Sequence, residues 1–116
     1  MEIEQTLAKA PAQMARLATL AEDSRFLWDE SKIKLKQVEA KKHLSVKATE
    51  PNLTVSDLKA KVDEDSDIYE QRLTVIGHES EFKKNCIEFD KWENAFTSAR
   101  KLANLKIEEM RANIRS

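Results

Sequence analysis

Apolar and small residues recur at alternating three- and four-residue steps along two long stretches of the chain. The first track runs through Met14, Leu17, Ala21, Ser24, Trp28, Ser31, Leu35, Val38, Lys42 and Ser45. Such spacing lays one stripe along a helix, here heptad-like, although its second half turns polar. Leu20, Leu27 and Ile33 widen it. The second track runs through Val75, Phe82, Cys86, Phe89, Phe96, Ala103, Ile107, Met110 and Ile114, with Glu79, Glu93 and Arg100 at charged positions and Trp92, Ala99 and Leu102 beside it. Gly77 is the one internal weak point, costing about 1 kcal/mol against alanine and permitting a bend. The patterns predict helices over residues 11–49 and 67–114, on the order of 55 and 70 Å long.

The stretch between them, residues 50–66, reads as an elbow. Pro51 disfavours helical geometry at Glu50 and has no N–H to donate, so the first helix stops there. Thr54 followed by Asp57 resembles a capping box and predicts a short helix over 54–62, with Leu58 and Val62 as its apolar pair. Asp67 with Glu70 repeats the cap-plus-acid spacing, and Asp63, Glu64, Asp65 and Asp67 suit the positive start of the next helix. Ahead of the first long helix, residues 1–10 form a separate segment with Ile3 and Leu7 four apart. Ala10-Pro11 interrupts a helix there or begins one.

One glycine and two prolines in 116 residues leave few places to turn. A β-sandwich or βαβ fold is nearly excluded. The expectation is a single all-α domain, a long antiparallel helical hairpin with a short connecting helix, oligomerising through helix packing. Trp28, Leu35, Phe82, Phe89, Trp92 and Phe96 are the packing residues, since rings of this size gain roughly 1.5–3 kcal/mol each on burial. A monomeric three-helix bundle with the N-terminal segment folded back is the alternative. No apolar run approaches the ~18 residues of a membrane span. The opening MEIEQTLAKA lacks the h-region of a signal peptide, and the lone Cys86 fits a reducing compartment. A cytoplasmic protein without membrane association is expected.

Catalytic chemistry finds no footing. There is no glycine-rich phosphate loop, no His/Cys cluster at metal spacing and no nucleophile–base pair. Asp63, Asp65 and Asp67 open like a calcium loop, but Ile68 and Thr74 stand where glycine and glutamate are required. Neither enzyme, cofactor nor metal is expected.

Charge is more informative. The net value of −1 hides six lysines in residues 32–47 against the single acid Glu39. At 100° per residue Lys32, Lys36, His43 and Lys47 fall within about 60° of the helix surface, with Lys41 and Lys42 nearby in sequence. Such a stripe can neutralise a row of phosphates. A solvated helix face is the simpler explanation of a lysine run. Displacement of the acids to 63–67 favours a binding role.

Glu39-Ala40, Lys42 and Lys47-Ala48 are similar to the segment EA-x-K-x4-KA of the phage UvsY-type recombination mediators, and Ile107-Glu108-Glu109-Met110-Arg111-Ala112 resembles that family's ending. The likeness spans roughly residues 25 to 112. The family's basic motif LKARL corresponds to Val46, Lys47, Ala48, Thr49 and Glu50; Lys47 matches, whereas Thr49 replaces the arginine and Glu50 is acidic. Lys41, Lys42 and His43 stand in the preceding turns, where they can compensate. The resemblance implies a non-catalytic protein that binds single-stranded DNA and helps load a RecA-like recombinase. It further implies contacts with a single-strand-binding protein, a ring-shaped homo-oligomer and a phage-infected host cytoplasm. Two other readings remain open: a structural coiled-coil adaptor or scaffold, and a small phage-type inhibitor that presents Asp63–Asp67 as a DNA mimic.

Overall fold

A computed structural model describes residues 2–115; Met1 and Ser116 lie outside the described residues. The protein is all-α, with α1 over Ile3–Thr49, α2 over Val55–Asp63 and α3 over Ser66–Arg115. It divides into two compact units, Glu22–Phe82 and Met1–Ala21 with Lys83–Ser116. In each unit a stretch of α1 lies antiparallel against a stretch of α3.

α1 starts earlier than the sequence pattern indicated. It runs without interruption from Ile3 through Pro11, so residues 1–10 are no separate segment and no third helix folds back. Alanines at 8, 10, 12, 15 and 18 give this stretch high intrinsic helicity. Pro11 sits on the exposed side while Ala10 is fully buried. Gly77 likewise leaves α3 unbroken.

The unit of residues 22–82 contains the elbow. α1 closes with Glu50 N–H donating to the Val46 carbonyl at 2.8 Å, and the chain turns at Pro51 and Asn52. Thr54 is extended and its hydroxyl accepts from the Asp57 N–H, which starts α2. The second cap is Asp65 and not Asp67: its Oδ1 accepts from the Asp67 and Ile68 N–H groups at 3.0 and 3.1 Å. Val46, Leu58, Val62 and Ile68 are buried together at this end. Further along, Trp28 meets Phe82 at 5.6 Å between ring centroids. Ser31 is buried, its hydroxyl on the Trp28 carbonyl and its own carbonyl accepting from Gln71 Nε2. The expected stripe of α1 is the buried one, except that Val46 replaces Ser45 at its end. Leu20, Leu27 and Ile33 do not widen it; all three are exposed.

In the other unit Ala10, Leu17 and Ala99 are buried, and Phe89, Trp92, Phe96 and Ala103 are half-buried. Asn85 Nδ2 donates to the Leu20 carbonyl at 3.4 Å, an amide that fixes the register of the two helices. Beyond Ala103 the track continues in sequence but loses its cover. Ile107, Met110 and Ile114 are exposed, as are Leu102 and Leu105 beside them.

Candidate functional site

The basic stretch lies on α1 of the unit 22–82, and the antiparallel return sorts its lysines into two groups. Lys32 is turned down: its Nζ is 4.1 Å from the Trp28 ring centre and 3.1 Å from Asp29. Lys42 is half-buried on the seam, its Nζ 3.0 Å from Asp65. That contact and the Ile68 N–H hold the Asp65 carboxyl below its ordinary pKa. Lys42 is therefore a structural cation that locks the second cap to α1. Its expected place in a phosphate-binding row is corrected to that extent. Lys36, Lys41, His43 and Lys47 are exposed, and among the described residues none of them is ion-paired.

The acids sort with equal clarity. Glu39, the single acid within the basic stretch, accepts from Arg72 Nε and Nη2 at 3.3 Å. The same guanidinium reaches Asp63 Oδ1 at 2.8 Å. Asp63 first, and Glu39 with it, raise the Arg72 pKa, so this cation is firmly charged. Glu50 pairs with Lys61. Asp63 and Asp65 thus serve internal pairs, which removes two of the acids on which a DNA-mimicking face would depend.

Lys36 and His43 are about two turns apart on the same side of α1, and they line an open groove of about 650 Å³ where α2 crosses. Lys59, from α2, and Arg72, from α3, complete its polar lining. Its apolar part is Ala40, Leu44, Val55 and Val62. Leu44 and Val55 are 68% and 85% exposed, so the groove is unfilled by the chain itself. Lys59 was missed by sequence reasoning because it lies outside the basic run. The fold brings it there, and the only available signal was its place on the amphipathic turn with Leu58 and Val62. Lys41 and Lys47 do not line the groove.

The six expected packing residues all lie on seams within the chain. Trp28, Leu35 and Phe82 are half-buried in the unit 22–82, and Phe89, Trp92 and Phe96 in the other. Phe26, the fourth phenylalanine, is exposed. The seams that a second copy was expected to cover therefore cover each other, except at the end of α3.

Among the described residues no group of three or more His, Cys, Asp or Glu side chains is placed to hold a metal ion, and no helix is long and apolar enough to cross a membrane. No family model, curated protein or solved structure matches the chain.

Proposed function

We propose that the chain is a non-catalytic binding module for single-stranded nucleic acid, with the groove between α1 and α2 as its contact surface. One observation carries the reading. Lys36 and Lys59 face a common groove whose two acids, Glu39 and Asp63, share Arg72 as their ion-pair partner, so that cations outnumber acids in its lining. Phosphates bind the two ammonium groups, and unstacked bases lie against Leu44 and Val55. Lys47 extends the cationic row along α1. No aromatic side chain lines the groove, so stacking contributes little and sequence preference is weak.

Within this reading the resemblance to recombination mediators supplies the biological form: a homo-oligomer that loads a RecA-like recombinase and meets a single-strand-binding protein. The adaptor reading draws on a different observation, the exposed outer stripe of Phe26, Ile33 and Leu44 on α1, which suits an apolar protein partner.

Titration of a single-stranded oligonucleotide at two salt concentrations tests the proposal. The wild type is expected to bind with an affinity that falls steeply with salt. Lys36→Ala with Lys59→Ala should lower the slope by about 0.7 for each phosphate that is no longer neutralised. Absence of binding at low salt overturns the proposal. So does unchanged binding by the double variant.

A further inference from the structure

The end of α3 carries an apolar stripe that its own chain leaves uncovered. The Asn85–Leu20 bond sets the register of α1 on α3 in this unit. α1 begins at Ile3, and Thr6 lines a pocket with Trp92 and Ala95 of α3. Residues 104–115 then extend past the start of α1 by about 18 Å of helix. All of them are exposed. The stripe does not stop with its cover: Ile107, Met110 and Ile114 continue the face that buries Ala99 and half-buries Phe96 and Ala103.

We propose that this overhang is a two-fold interface, occupied by the same segment of a second copy running antiparallel. Three features select that occupant. The first is spacing. From Ala103 through Ile107 and Met110 to Ile114 the steps are four, three and four residues, which read the same from either end. Antiparallel pairing therefore matches Ala103 with Ile114 and Ile107 with Met110, twice over, as an isologous contact requires. The second is continuity. The second helix takes up the space that α1 leaves, and the seam of one copy passes into the seam of the next. The third is charge. The acidic first turn of α1, with Glu4 and the preceding Glu2, receives the basic last turn of the second copy's α3, with Arg111 and Arg115. The positive start of one helix meets the negative end of another in the same place.

Like charges do not oppose each other across this contact. Lys106 and Arg111 flank the stripe on opposite sides, and antiparallel pairing sets them against Asn113 and Asn104 of the second copy. Glu108 and Glu109 face outward. With only about three turns from each copy, the dimer belongs to the weak, concentration-dependent class.

Sedimentation of the full chain across micromolar concentrations, paired with cross-linking, tests the proposal. Wild type is expected to pass from monomer to dimer. Ile107→Glu with Met110→Glu should remain monomeric at every concentration while keeping the wild-type helical circular dichroism, because these side chains are exposed within their own chain. In a Cys86→Ala background, Ile107→Cys mixed with Met110→Cys should cross-link on oxidation more readily than either protein alone. A wild type that is monomeric at tens of micromolar overturns the interface. A double-glutamate variant that still dimerises, or self-cross-linking that exceeds the mixed product, overturns it equally. Neither experiment touches Lys36 or Lys59, so this interface and the nucleic-acid groove stand or fall separately.

Discussion

The two units are made from the same two helices yet are held together differently. In residues 22–82, polar contacts join α1 to the returning chain: Arg72 grips Glu39 and Asp63, Lys42 holds Asp65, and Gln71 reaches the Ser31 carbonyl. In the other unit the one cross-helix bond described above is that from Asn85 to the Leu20 carbonyl, and the seam is mostly apolar and small, with Ala10, Leu17 and Ala99 buried and the rings of Phe89, Trp92 and Phe96 half-covered. Packing along a two-helix seam is non-directional and can continue for as long as both helices last. A reversal of the chain must instead be fixed at one place, and caps and ion pairs have the geometry to fix it. The difference also locates the candidate groove. The ion pairs at the elbow sort charges, leaving Lys36 and Lys59 on one groove, whereas the apolar seam simply runs out at Ala103.

If that contrast is right, the largest single loss should come from the one large side chain among the described residues that is completely enclosed. Ile68 is 0% exposed, and Ile68→Ala should cost about 2–5 kcal/mol by deleting buried carbons and leaving a cavity. Phe96→Ala removes more atoms from a half-covered site and should cost less than Ile68→Ala. Urea melts of the two variants compare them directly. A larger loss at Phe96 would mean that the apolar seam, and not the elbow, dominates stability.

Thr54→Ala removes the acceptor for the Asp57 N–H and should cost ~1 kcal/mol. Here the loss is confined to α2, so hydrogen exchange should accelerate over residues 55–63 before it does so in either long helix. Uniform acceleration would show that α2 and its neighbours open as one unit.

Much of this architecture is legible in the sequence. Three- and four-residue steps identify the buried stripe of α1 from Leu17 to Lys42 because a long two-helix seam allows few other arrangements of side chains. Thr54 is readable as a cap because Pro51 leaves only one place for α2 to start. Asp65 is not, since four acids at 63–67 offer several cap spacings and only the packing of Ile68 chooses among them. Pro11 misleads because proline's cost is local, while the helix around it is held by Ala10 and Leu17. Least legible are the cross-helix pairs. Glu39 and Arg72 are 33 residues apart, and although the track sets Lys42 on the seam and Lys36 off it, nothing in the run of lysines says that Asp65 is the carboxylate Lys42 meets.

Arg72→Ala should have a smaller effect than loss of the Thr54 cap at physiological salt, since the guanidinium is about two-fifths exposed. Partly exposed ion pairs contribute roughly 0–1 kcal/mol and weaken with salt. The informative readout is therefore the difference between low- and high-salt melts, which should be larger for wild type than for the variant. The same substitution frees Glu39 and Asp63 in the groove, so it should also weaken oligonucleotide binding although it leaves Lys36 and Lys59 in place.

Acid titration isolates the smallest of these contributions. Asp65 has its pKa lowered in the folded chain, first by the hydrogen bond from Lys42 and then by the Ile68 N–H. Below its unfolded pKa the unfolded chain binds the proton more readily than the folded one. The stabilisation from Asp65 is thus fully present above the unfolded value and is lost as pH falls through the folded value. Asp65→Asn is the selective probe, because the amide oxygen can still accept from the Asp67 and Ile68 N–H groups while the charge facing Lys42 is gone. Near neutral pH the variant should therefore melt slightly below wild type. As pH falls the two should converge, since protonation removes the same charge from wild type. A gap that stays constant down to the acid limb would assign the loss to the cap and not to the ion pair. The elbow would then be fixed by hydrogen bonds alone.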